Sequence, residues 1–274
     1  MNIWQRLRNL DRRVIFILMA LGVGLPLLTN IGLPVRVTHD VRSVFNYIDK
    51  LNRGDVLLLS YDHDTGTLPE MVPMSTAILR HAFSKDLRII GMALRAEGSA
   101  IGRQAFRRVG KEFGKQEGID YVFLGYRPEI TASILGMGSS IERVFPKDDR
   151  GIAVSEIPLM QAVHNYGDIA FAISISDDDT PVYWINYGNA RYQLKFAPAV
   201  TAVMATTFFP FLNSGQIVGM VAGLKGAAEY ERLIDHKEMA SRGMDAQSIA
   251  HLVVIGFILV GNLAYFATRK GKQQ

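Results

Sequence analysis

Two stretches of this chain carry no Asp, Glu, Lys or Arg: residues 14–35 and residues 249–268. A helix rises about 1.5 Å per residue, so about 20 apolar residues cross the hydrocarbon core of a bilayer, and each stretch is long enough. Arg6, Arg8, Arg12 and Arg13 precede the first, and Arg269, Lys270 and Lys272 follow the second. Basic residues stay on the cytoplasmic side. The pattern therefore predicts a cell-membrane protein with both termini cytoplasmic and residues 36–247 extracytoplasmic. Residues 27–32 offer no small-x-small cleavage site, so the first stretch reads as a retained anchor rather than a signal peptide. The second (248–268) closes on Tyr265-Phe266 and a basic tail, as an interfacial helix end does.

Between the termini, the balance is 23 Lys and Arg against 25 Asp and Glu. The basic pI of 9.2 thus comes from the flanks of the apolar stretches, which removes support for a nucleic-acid partner. Cysteine is absent, so there is no disulfide, thiol catalysis or Cys-ligated metal, and about 210 residues bury enough core without staples.

Residues 196–224 form a third uncharged stretch. One crossing here would put the basic termini on opposite sides, and Pro198, Pro210, Asn213 and Gly215 divide it too finely for two. The expected reading is a buried strand near 194–205 followed by a small-residue helix from Gly215. A membrane-dipping loop at Phe208-Phe209-Pro210-Phe211-Leu212 is the alternative.

The middle alternates strand and helix. Asp55-Val56-Leu57-Leu58-Leu59-Ser60-Tyr61 suits a buried parallel strand, and Met71, Met74, Ile78, Leu79 and Phe83 mark the helix after it. Strands at 88–94 and 121–125 alternate with helices at 101–113 and 130–145, and residues 157–163 and 169–174 suggest a short helix and another strand. Tyr183 to Tyr187 and Tyr192 to Phe196, separated by Gly188-Asn189, predict a hairpin. The fold class is α/β: a doubly wound, mostly parallel sheet of flavodoxin- or Rossmann-like layout, flanked by N- and C-terminal transmembrane helices.

Ligands of such sheets sit at the carboxyl ends of the strands. The loops there contain Asp62-His63-Asp64, Arg95 with Glu97, Arg127 with Glu129, and Asp177-Asp178-Asp179. Asp62, His63, Asp64, Arg95, Arg127 and Asp177 are the candidate ligand-binding residues. The expectation is no cofactor, with a divalent cation as the alternative, for which Asp62, Asp64 and Asp177 are the candidate ligands. The same residue types also serve turns and ion pairs. His164, Tyr166 and Asp168 form a weaker candidate for proton transfer, and Arg103, Arg107 and Lys111 a basic stripe.

No nucleophile elbow, zincin, Walker or complete dinucleotide motif occurs in residues 36–247. Gly215, Gly219 and Gly223 recur every fourth residue, with Gly226 following, and predict a close-packing face. His251 and Asn262 add polar groups to the second apolar stretch. Two functions follow as expectations. One is a non-enzymatic scaffold or accessory subunit, with the bilayer and a homo-oligomer or membrane protein as partners. The other is an anchored metal-dependent hydrolase or small-ligand sensor.

Overall fold

The computed structural model describes residues 11–29 and 31–270, in two compact units: one formed by the chain ends up to Pro34 and from Ser241, the other spanning Val35–Ala240. Arg6, Arg8 and Lys272 lie outside the described residues.

Within the larger unit the elements run α2 (His39–Asp49), β1 (Val56–Asp62), α3 (Leu68–Ser84), β2 (Arg88–Ala93), α4 (Ala96–Glu112), β3 (Tyr121–Tyr126), α5 (Ile130–Met137), α6 (Ile141–Val144), β4 (Phe171–Ser176), α7 (Thr180–Tyr183), α8 (Ala190–Tyr192), β5 (Phe196–Val200), α9 (Ala205–Asn213), β6 (Val221–Ala222) and α10 (Gly223–Leu233). All six strands are parallel, in the order β3-β2-β1-β4-β5-β6, with helices flanking the sheet. This is the order of a doubly wound α/β fold. The core β1 run is apolar because parallel strands bury both faces. Side chains alternate, so Val56 and Leu58 join one cluster with Ile90, Val122, Ala172 and Trp184. On the other face Tyr61, Phe106 and Phe123 meet edge to face, with ring centroids 5.6–6.3 Å apart.

Two sequence expectations about this unit need correction. Residues 182–192 are helical, so residues 182–196 are not a hairpin: α7 continues through a π-helical segment, Trp184–Asn189, into α8, and Phe196 opens β5. Trp184, Ile185 and Gly188 are buried at helical spacing, and β5 is parallel to β4, which requires a crossover that no hairpin supplies. Trp184 then stacks on Phe196, centroids 6.1 Å apart. The helix expected from Gly215 starts instead at Gly223, after the two-residue β6. Residues 208–212 lie in α9, with Phe208 buried.

The smaller unit holds α1 (Arg12–Leu28) and most of α11 (Met239–Lys270). Among the described residues α11 alone is long and apolar enough to cross a membrane, over Met239–Thr268, so the structure supports one such helix where the sequence predicts two. The first stretch falls short because α1 has 17 residues and ends at Leu28. Beyond it the Gly32 and Leu33 amides donate to the Asp245 carboxylate, at 2.8 and 3.0 Å, which replaces helical partners for this segment. Gly22 of α1 packs on α11, where an added Cβ would lie 3.3 Å from Val253.

Candidate functional site

The strand order reverses direction between β1 and β4, and the crevice outside their carboxyl ends is where doubly wound sheets bind ligands. Asp62 and Ser176, the last residues of the two strands, are direct neighbours in register. The chemistry at this point begins with a polar stripe, Ser60 and Asp62 on β1 and Ser174 and Ser176 on β4, all buried in otherwise apolar strands.

Asp62 is consumed by that stripe. Its Oδ1 accepts from the Ser60 hydroxyl at 2.7 Å and the Leu94 amide at 2.9 Å, and its Oδ2 accepts from the Ser174 hydroxyl at 2.6 Å. One carboxylate therefore ties β1 to the ends of β2 and β4. Burial raises its pKa to about 6 against the pull of the three hydrogen bonds.

His63 follows and is fully buried. Its Nδ1 lies 3.1 Å from the Asp64 carbonyl oxygen, an acceptor, so Nδ1 carries the proton and Nε2 presents a lone pair. Nε2 is buried and has no hydrogen-bond partner among the described residues. Burial holds the imidazole pKa below its ordinary value, although the Asp64 carbonyl and the charges of Asp177, Asp64 and Glu97 oppose this.

The two loops are stitched together around it. The Asp64 amide donates to Asp177 Oδ2 at 3.1 Å, the Thr67 hydroxyl donates to the same oxygen at 2.8 Å, and the Thr65 amide donates to Glu97 at 2.8 Å. Arg95 pairs with Asp178, whose Oδ1 also accepts from the Ser176 hydroxyl and the Thr180 amide, both at 2.8 Å. Burial pushes the Asp178 carboxyl up, but those bonds and Arg95 bring it below its usual range.

Five of the six candidate residues thus gather at the switch point: Asp62, His63, Asp64, Arg95 and Asp177. Arg127 is engaged elsewhere, donating to the Val144 and Tyr126 carbonyls at 2.6 and 3.2 Å and lying 4.8 Å over the Phe145 ring. Among the described residues no three His, Asp or Glu side chains are grouped to hold a metal ion, and Asp62, Asp64 and Asp177 do not form such a set. Asp178 and Glu97, which the sequence places in the same loops, join the site, and so does Ser174, whose sequence signal is a serine in an apolar strand, as Ser60 is in β1.

The other candidates resolve locally. Asp168 accepts from the His164 and Asn165 amides and caps a turn, while the Tyr166 hydroxyl donates to Ile134. Arg103 pairs with Asp149. Of the small-residue face, Gly219 packs on α2 so closely that a Cβ would sit 2.4 Å from the Asp40 carbonyl oxygen. Gly223 abuts Ala202, Gly226 abuts Val221, and Gly215 faces open space.

No family model, curated protein or solved structure matches this chain.

Proposed function

We propose that this chain is a membrane-tethered binding domain whose ligand is a small organic cation carrying N–H groups, held at the carboxyl ends of β1 and β4. The observation that carries the reading is His63 Nε2, a buried lone pair without a donor. A buried acceptor left unpaired costs about 1–3 kcal/mol, so a ligand that donates to it recovers that energy. Asp177, Asp64 and Glu97 put negative charge on the imidazole, while the nearby Arg95 guanidinium is paired with Asp178. That field repels phosphate and attracts a primary ammonium or guanidinium. The spread of the carboxylates over three segments, after β1, β2 and β4, suits an extended organic cation better than a bare metal ion.

The test is titration of the full chain in nanodiscs with putrescine, spermidine and arginine, and with tetramethylammonium, which has charge but no N–H. Calorimetry should detect the first group and not the last. His63→Phe should weaken binding by about 10- to 100-fold, the value of one hydrogen bond to a charged donor. Because burial lowers the His63 pKa, Nε2 is free at pH 7; affinity should fall only below pH 6.5, as protonation removes the acceptor and adds a like charge. Amine binding indifferent to both His63→Phe and pH would reject the site.

A second reading, assembly with a copy of itself or a membrane partner, is favoured by His251 and Asn262, polar and exposed within the apolar span of α11. Polar groups in hydrocarbon seek a partner helix. His251→Leu with Asn262→Leu should then reduce the particle mass measured by light scattering in detergent; an unchanged mass argues against it.

A further inference from the structure

The uncharged stretch 196–224 builds a second surface, independent of the site at β1 and β4. A cavity of about 280 Å³ opens beside the ends of β5 and β6, with Val41, Ala205, Phe209, Met220, Ala222 and Gly226 on its walls. Its floor is closed by a satisfied carboxylate: Glu229 accepts from the Thr38 amide and hydroxyl at 2.8 and 2.6 Å and pairs with Lys225. Next to the cavity the apolar surface continues outward, with Val203 83% and Phe209 43% exposed, and with Ala202 and Pro210 exposed beside them. Exposed contiguous apolar surface of this kind marks an interaction site.

Chain connectivity sets the length of the link that leads from it. Thr38, part of the cavity wall, is four residues from Pro34, where the unit containing α1 and the membrane-length helix α11 ends. Four extended residues reach at most about 14 Å. That length is the longest the link between Thr38 and Pro34 can be. Lys225 on the cavity, and Arg36 and Arg42 within two residues of its wall, are exposed cations of the kind that meet lipid headgroups. No Asp, Glu, Lys or Arg interrupts residues 196–224, so the inserting segment itself carries no charge; the charged groups on the cavity are Asp40, Lys225 and Glu229, the last two paired with each other.

We infer that the β5–α9 edge, led by Val203 and Phe209, docks into the bilayer, with lipid hydrocarbon against the apolar walls of the cavity. The chain has no cysteine, so single labels are unambiguous. Val203→Cys, Phe209→Cys and, on the exposed face of α4, Lys111→Cys would each carry an environment-sensitive fluorophore in the full chain. The probe is a nanodisc containing phosphatidylcholine with a nitroxide on the acyl chain. Quenching at positions 203 and 209 should exceed that at 111 by at least two-fold. Quenching equal to that at 111 would overturn the inference, as would a label shielded from both the acyl nitroxide and aqueous iodide, which would mean a protein covers the edge. Val203 is so exposed that its variant tests the inference even if Phe209→Cys fails to fold.

Discussion

Asp62→Ala should destabilise the larger unit by about 3 kcal/mol, lowering the midpoint of thermal unfolding by roughly 10 °C, while Asp62→Asn should be close to neutral at pH 7. The alanine leaves the Leu94 amide and the Ser60 and Ser174 hydroxyls without their shared acceptor, all inside the sheet. The asparagine keeps an oxygen for Ser60 and Leu94, and the Ser174 hydroxyl can turn to accept from its amide. The pH dependence separates the charge from the geometry. The folded pKa of Asp62 is raised to about 6 from an ordinary 3.8, so folding takes up a proton between these values. Its contribution to stability is fully present below pH 3.8 and is lost as the pH rises through 6, amounting to about 3 kcal/mol across the window. Asp62→Asn should remove that slope. Chemical denaturation at pH 4.5 and 7 measures it, and an unchanged slope in the asparagine variant would show that Asp62 is not its source.

Gly98→Ala should be at least as damaging, costing about 3 kcal/mol or more despite alanine's better helix propensity, worth about 1 kcal/mol. Gly98 lies in the first turn of α4, and a Cβ there would sit 2.1 Å from the Tyr61 carbonyl oxygen and 2.8 Å from its carbon. Both are backbone atoms of the central strand and have no rotamer to escape into. α4 must then lift away from β1, and with it Glu97, which holds the Thr65 amide. Gly98→Ala should accordingly lose amine binding as well as stability. Urea titration and calorimetry on the same sample test this, and near-native stability would contradict the close approach of helix and strand.

How much was legible in the sequence depends on whether the determining contact is local. Strands β1 to β4 announce themselves as short apolar runs, and once they alternate with helices their carboxyl ends, and hence the Asp62-His63-Asp64 and Asp177 loops, follow from topology. The strand order does not: that β1 lies between β2 and β4 is set by pairings 32 or more residues apart, such as the Leu94 amide with Asp62. The expected end of the first apolar helix fails for the same reason, since Asp245, more than 200 residues away, takes the Gly32 and Leu33 amides. Residues 182–196 misled because aromatic and β-branched side chains favour strands locally, while burial of Trp184 against Phe196 rewards a helix. The sequence marks Asp62 as a candidate binding group; in the structure three donors occupy its oxygens, and its neighbour His63 keeps an unpaired acceptor.

The position of β1 between β2 and β4 also sets a timetable for synthesis. Its partner on one side is made within about 30 residues, but Phe171–Ser176 emerges more than 100 residues later. At roughly 5–20 residues per second, one edge of Val56–Asp62 waits several seconds with Leu57, Leu58 and Leu59 unsheathed on the nascent chain. During that interval the half-sheet β1–β2–β3 offers a bare parallel edge to any other strand in reach. Ribosome pausing between residues 126 and 171 would lengthen this exposure, so the yield of folded protein should be governed by translation speed through that interval and by chaperones that cover the waiting edge.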